Sequence, residues 1–520
     1  MYNSKIKYHK ATIAFFLLFA LQLAANQTAQ AQKDISQYKN VAVAHSPKNR
    51  STFDSVARSI NQIKGFTTAK IGIHVTDLNS NETLTSLNAT YSLVPASNLK
   101  IITTATALEI MSDTARFKTL VAYSGTIDTA GILNGNIYIV GGGDPSLGSQ
   151  YFDTLLNNRD YFLNQWCDAV AKAGIRKING RIIADVGAFK GDIPASWTWE
   201  DIGNYYGAAA CGLSVFDNTF NLVLASENKT GGKVDIKDVY PFVPELKIEN
   251  QLIAATGDAS AIYGSPLDGK RILKGTIPRG RASYTIQGSI PDPAYLLANA
   301  LESRLFQKGI ATLYGSSTIS RMKSAKIEVP NRNEKRKIIH VINSPELKHI
   351  VKVTNVYSMN LYAEHLFKHL AYRFSGEGNT DSGEVAIKSF WQTKGINTDG
   401  MSLMDGSGLS HQNTITPKQM TEILAYMRTK SQYKNTFYES LPIAGVSGTL
   451  KGLCKGSLAE GNIRAKSGYI RHVRGYSGYV TTKSKRNLVF SMIFNDYTCS
   501  TALATKQLEQ LMIHLANIED

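Results

Sequence analysis

Cysteine is scarce in this chain, with four residues in 520, at Cys167, Cys211, Cys454 and Cys499. Their spacing matches no zinc site, which excludes a metal-stapled module. An oxidising compartment would allow three pairings, whereas buried free thiols need none. There is no zinc-ligand array and no RNA-binding motif, so nucleic acid is not an expected partner. Acids are in deficit, 41 against 57 Lys and Arg, for a net charge of +16. After the first 31 residues no apolar run is long enough to span a bilayer. No internal repeat and no low-complexity tract is present. Hydrophobic content of 43% with 19% charged residues fits an ordinary globular protein of several domains.

What is present begins with a leader. Lys5, Lys7 and Lys10 form a basic start, residues 11–25 (ATIAFFLLFALQLAA) form an apolar core, and Ala29-Gln30-Ala31 is a small-x-small cleavage site. Residues 1–31 therefore predict a signal peptide cut after Ala31. No cysteine follows it to carry a lipid, and no transmembrane anchor is expected. These features predict export, with a Gram-negative periplasm as the destination. The basic surface suits anionic neighbours such as wall polymers or lipid headgroups.

Residues 70–78 (KIGIHVTDL) alternate like a strand. From Asn98 to Met111 the chain lacks Gly and Pro, and Ile101, Ala105, Leu108 and Met111 recur at a helical period. Residues 120–340 read differently, as short strands (136–140, 181–185), Gly-rich turns and a helical stretch at 161–173. They are read as inserted accessory domains. Residues 32–119 and 341–520 form one discontinuous unit around them. Helical patterns resume at 347–370, 383–394, 417–428 and 501–516. Residues 472–482 and 487–494 read as adjacent antiparallel strands.

Three motifs stand out by order and context: Ser97-Asn98-Leu99-Lys100, Ser358-Met359-Asn360 and Lys466-Ser467-Gly468. None is specific alone. Ser-x-x-Lys also occurs at Ser4, Ser36, Ser226, Ser320 and Ser431, and Lys229-Thr230-Gly231 mimics the third motif. Only Ser97 precedes an apolar helix, and Lys229 lies ahead of Ser358 in the inserted material. Residues three apart share a helix face, so Lys100 can reach Ser97.

The chemistry that this trio predicts is acyl transfer. Ser97 is the nucleophile, and Lys100 is the base that must be neutral to act. Burial and a second cation, Lys466, depress a lysine pKa. Ser358 relays a proton to the leaving amine. Asn360 holds the substrate amide and the Lys100 amine. Lys466 and the Ser467 hydroxyl bind a substrate carboxylate, and Gly468 leaves room for an approaching backbone. The backbone amides of Ser97 and Tyr469 form the oxyanion hole. This trio occurs in penicillin-binding proteins and β-lactamases.

The chain resembles the low-mass class C penicillin-binding proteins, the D-alanyl-D-alanine carboxypeptidase/endopeptidase type. The likeness lies in residues 95–108 (PASNLKIITTATAL), 141–147 (GGGDPSL), 290–293 (IPDP), 351–365 (VKVTNVYSMNLYAEH), 405–410 (DGSGLS), 441–450 (LPIAGVSGTL) and 464–468 (RAKSG), and in the long gap between Ser97 and Ser358. The resemblance implies an α/β (α+β) fold. It would be a penicillin-binding-protein/β-lactamase-like transpeptidase domain, an antiparallel sheet flanked by helices, with two smaller inserted domains. It implies peptidoglycan stem peptides as substrates, ending in D-Ala-D-Ala or cross-linked, with β-lactams as inhibitors and no metal or organic cofactor. A family pocket for the diamino-acid side chain maps onto Asp201 and Tyr206. Two departures are visible: Ser467 replaces the usual threonine, and His411 stands where better-known members carry arginine. Arg471 is a substitute cation for that arginine. The rival readings are a β-lactamase or D-amino-acid esterase, and a catalytically silent wall-binding scaffold.

Overall fold

The computed structural model describes residues 50–152, 159–187, 189, 192–331 and 333–519. The leader expected at residues 1–31 lies outside the described residues.

The chain builds one antiparallel sheet from its two ends. Strands β1 (Lys70–Asp77) and β2 (Thr83–Leu87) come first, followed by helix α1 (Lys100–Met111). Much later come α2 (Leu347–Val356), α3 (Asn360–Ser375), α4 (Pro417–Thr429), β3 (Arg464–Ile470), β4 (Val473–Thr481), β5 (Asn487–Asn495) and α5 (Thr501–Ala516). The sheet order is β3-β4-β5-β1-β2, every pair antiparallel. Along β5, Val489 and Ile493 enter the core shared with α1, α2, α3 and α4. Phe490, Met492 and Phe494 enter the core under α5 and the helix Arg50–Ser59. That alternation follows from the two-residue period of a strand and requires helices on both faces.

The intervening chain has sheets of its own. Lys118–Tyr123, Ile137–Gly141, Ile182–Asp185, Ser316–Thr318 and Lys337–Asn343 form one five-stranded sheet. A separate group contains Val234–Tyr240, Thr219–Ser226 and Tyr284–Ser289, beside Lys247–Asn250, Lys270–Lys274 and Ala261–Gly264. The expected limits of the insertion, 119/120 and 340/341, fall within Lys118–Tyr123 and Lys337–Asn343, which pair with each other. Among the described residues no helix is long and apolar enough to cross a membrane. All four cysteines are free thiols, three of them buried.

One expected helix is broken. Residues 347–370 carry a continuous helical pattern, yet the structure divides them into α2 and α3. Ser358 lies in the break with φ +59. A non-glycine residue in the left-handed region is uncommon and tends to mark functional positions.

Candidate active site

The first motif sits in a short 3-10 turn, Ala96–Leu99, that runs directly into α1. Ala96 has φ +47 and is fully buried. Its carbonyl packs against Gly408, where a Cβ would lie 1.9 Å from Ala96 O at φ +81. The 405–410 loop therefore closes on the turn that carries Ser97 only because residue 408 is glycine.

Ser97 is half-buried, whereas Lys100 and Lys466 are each 0% exposed. Lys100 Nζ lies 2.9 Å from Ser97 Oγ. It also donates to Asn360 Oδ1 at 2.7 Å and to the Ser407 carbonyl at 2.6 Å. Those two partners accept only. A neutral amine that satisfies both has its lone pair left for the Ser97 hydroxyl proton. Burial pushes the Lys100 pKa down to about 7, against the partial opposition of the Asp405 and Glu364 carboxyls. A lysine so tuned is a competent base near neutrality.

The second and third motifs meet on the other side. Lys466 Nζ donates to Ser358 Oγ at 2.8 Å and to the Ser467 carbonyl at 2.8 Å. Burial, then the Lys100 charge, then Arg474 hold Lys466 well below an ordinary lysine. Charge on Lys100 thus disfavours charge on Lys466. On the edge strand β3, Gly468 faces Gly475 of β4. A Cβ at Gly468 would lie 2.5 Å from both Asn98 Nδ2 and Pro95 O. The small residue therefore admits the Ser97 turn itself. Tyr469, next on β3, is 51% exposed.

The five motif residues thus form two hydrogen-bonded groups, Ser97–Lys100–Asn360 and Ser358–Lys466, close enough for the Lys100 charge to act on Lys466. Ser467 is buried beside them, and its hydroxyl donates to Thr449 Oγ1 at 2.8 Å. Tyr206 joins through its backbone, since its carbonyl accepts from Asn360 Nδ2 at 2.8 Å. Burial first, and then the Asp201 carboxylate, raise the Tyr206 hydroxyl pKa. Asp201 Oδ2 accepts from the Thr198 amide at 3.1 Å and the Thr198 hydroxyl at 2.6 Å, capping the short helix Trp199–Ile202. His411 is exposed, one residue beyond the buried stretch Asp405 to Ser410. Arg471 is exposed in the β3–β4 turn.

Several residues of the cluster escaped the sequence reading. Thr449 shares the Ser467 hydroxyl. Arg474 bears on Lys466 and stacks over Tyr469 at 5.7 Å and Tyr476 at 5.0 Å. Asp405 is a buried hub. It accepts from Gly408 N, Ser410 N, Asn413 Nδ2 and the Trp197 indole N–H, at 2.7 to 2.9 Å. The DGSGLS stretch was the only signal for it.

The crystal structure of penicillin binding protein 4 from Haemophilus influenzae matches with TM-score 0.73 at 23% identity, covering 91% of this chain and 99% of that one. A second structure of that protein, complexed with a novel β-lactam, matches with TM-score 0.70 at 22% identity over the same shares. The fold is therefore penicillin-binding-protein/β-lactamase-like. A D-alanyl-D-alanine carboxypeptidase of Actinomadura sp. (strain R39) is 28% identical over 449 residues, 84% of this chain and 79% of the relative. The model of the D-Ala-D-Ala carboxypeptidase 3 (S13) family matches residues 53–518. Over nearly its whole described length, then, the chain belongs to the D-Ala-D-Ala carboxypeptidase 3 (S13) family.

Proposed function

We propose that Ser97 is the nucleophile through which this chain trims and opens peptidoglycan stem peptides. Family membership makes the chain a serine-type D-Ala-D-Ala carboxypeptidase, a hydrolase. The observation that carries the assignment to Ser97 is the Lys100 amine, 2.9 Å from its hydroxyl with both other partners being acceptors.

Ser97 Oγ attacks the carbonyl of the penultimate D-Ala while Lys100 Nζ takes its proton. The backbone amides of Ser97 and Tyr469 hold the oxyanion. As the C–N bond breaks, Ser358 Oγ passes a proton to the departing D-Ala amine and takes in its place the one that Lys100 removed from Ser97, which returns Lys100 to its neutral form; Lys466 Nζ lies 2.8 Å from Ser358 Oγ. Water, deprotonated by Lys100, then attacks the ester and releases the shortened stem. Lys466 and Ser467 bind the terminal carboxylate. When the leaving amine belongs to a neighbouring stem, the same steps are endopeptidase activity. Asp201 Oδ1 and the Tyr206 ring receive the diamino-acid side chain, with exposed His411 or Arg471 facing its carboxylate. β-Lactams acylate Ser97 and leave slowly. The discontinuous catalytic domain carries this chemistry around accessory domains in residues 120–340. The leader ending at Ala31 delivers the enzyme to the periplasm, and neither cofactor nor nucleic acid takes part.

The test is the intact mass of the mature protein after incubation with benzylpenicillin, followed by peptide mapping and D-Ala release from an acylated peptide ending in D-Ala-D-Ala. A single adduct on Ser97 with D-Ala release is expected. Rapid destruction of the drug without an adduct would establish the β-lactamase reading instead. An intact drug and no adduct would leave a silent scaffold.

A further inference from the structure

Below Lys100 lies a carboxyl that the steps above do not use. Glu364 is on α3, one turn beyond Asn360, and is 2% exposed. Its Oε1 accepts from the backbone N–H of Ser407 at 2.8 Å and of Gly406 at 3.1 Å. The carbonyl of the same Ser407 accepts from Lys100 Nζ at 2.6 Å. On the other side of the loop, Thr103 of α1 donates to the Gly406 carbonyl at 2.7 Å. The loop is pinned from both sides, and one residue separates the Glu364 carboxyl from the Lys100 amine.

We propose, on the reading of Ser97 and Lys100 given above, that Glu364 is a positioning residue. It fixes the Ser407 carbonyl against which the Lys100 amine is held, and its charge sets how readily that amine keeps the proton taken from Ser97.

Two facts argue for a charge as well as a peg. Two buried N–H groups need an acceptor, but a neutral amide would supply one at lower desolvation cost than a carboxylate. Charged groups of both signs also face the carboxyl from the elements around it. Lys100 comes from α1, and Lys368 from the next turn of α3, itself donating to the Asp192 and Ala210 carbonyls at 2.8 and 3.1 Å. The Asp405 carboxylate comes from the pinned loop. Beyond Lys100, Lys466 of β3 is held down by the Lys100 charge. Burial and then Asp405 push Glu364 up to about 8, while Glu364 in turn raises Lys100. The two groups titrate in one window, so the loss of one charge is felt by the other.

Glu364→Gln separates the two roles, because the amide oxygen can still accept both N–H bonds. The measurement is the second-order rate of Ser97 acylation by benzylpenicillin against pH, on the full mature chain, with circular dichroism and Tm recorded alongside. Glu364 ionises only as pH rises through about 8, so the glutamine variant is expected to share the acidic limb of the wild type, and above that pH, where the carboxylate holds the proton on Lys100, the wild type is expected to be acylated more slowly than the variant. Glu364→Ala frees the loop as well and is expected to lose about 100-fold in acylation at every pH. A glutamine variant whose profile stays with the wild type above about pH 8 as well would overturn the proposal, even where the alanine variant fails to fold. A wild type that is never acylated would instead remove the reading of Ser97 on which this rests.

Discussion

The carbonyl of Tyr206 accepts a hydrogen bond from the Asn360 amide at 2.8 Å, across 154 residues of chain. The Trp197 indole reaches the same centre from the same segment, bonding Asp405 at 2.9 Å. Residues 192–210 are therefore part of the wall of the site, because the orientation of Asn360, and through it of Lys100, depends on them.

Trp197→Phe keeps the ring and removes one of the four donors to the buried Asp405. The expected cost is about 1–2 kcal/mol of stability, read from urea unfolding. The three remaining donors hold Asp405, so the variant still folds.

If Lys100 is the base proposed above, it sets the acid limb of acylation. Its folded pKa near 7 means that the neutral, active form gains as pH rises through neutrality. The acylation rate should therefore be half-maximal near that value and fall on acidification. Lys100→Arg places a permanently charged group there, and stopped-flow acylation is expected to fall by about 10²–10⁴-fold.

Gly468→Ala puts a methyl group 2.5 Å from Asn98 Nδ2 and Pro95 O. Neither partner can withdraw without shifting the Ser97 turn. Overpacking of this kind costs about 1–3 kcal/mol. Thermal melting should show that loss, and acylation should slow more than substrate binding weakens. An unchanged acylation rate would mean that the turn tolerates the methyl group.

The framework of the site was legible because its residues carry distinctive side chains in a distinctive order. Lys70–Asp77 and Thr501–Ala516 came out of periodicity alone. The motif residues came together because the Ser97 turn, the α2–α3 break and β3 converge. The break itself was hidden, since 347–370 keeps an apolar helical period straight through Ser358, and a positive φ has no signature in that period. The Tyr206 and Ser407 carbonyls were equally invisible, because every residue has a carbonyl and only the fold decides which ones face the site. Glu364 and Asp405 read as ordinary polar residues of a helix and a loop. Asp405 is buried against Trp197, 208 residues away in sequence, and Glu364 against the loop at Gly406 and Ser407, 42 and 43 residues away.

His514 provides a titration far from the chemistry. It is 6% exposed, packs edge-on against Phe53 at 5.2 Å, and is pushed down to about 4 by burial. Its folded form is neutral, whereas the unfolded chain takes a proton near 6.5. The unfolded state binds more protons between those values, so this stability is complete above about 6.5 and is lost as pH falls toward 4. Relative to His514→Leu, the wild type should lose up to about 1.4 kcal/mol per pH unit across that window, read as a difference in denaturant midpoints.

The order of the central sheet also dictates when the enzyme comes into being. Strand β1 has β5 as a neighbour, Lys70 opposite Asn495, so the layer beneath Ser97 is closed by residues from the far end of the chain. Ser97 emerges early and Lys466 late. A nascent chain therefore has Ser97, the proposed nucleophile, without Lys466 or the edge strand until synthesis is nearly finished. Such long-range pairing folds slowly. An unfinished or truncated copy has no working hydrolytic centre, so activity is withheld until the final strands arrive.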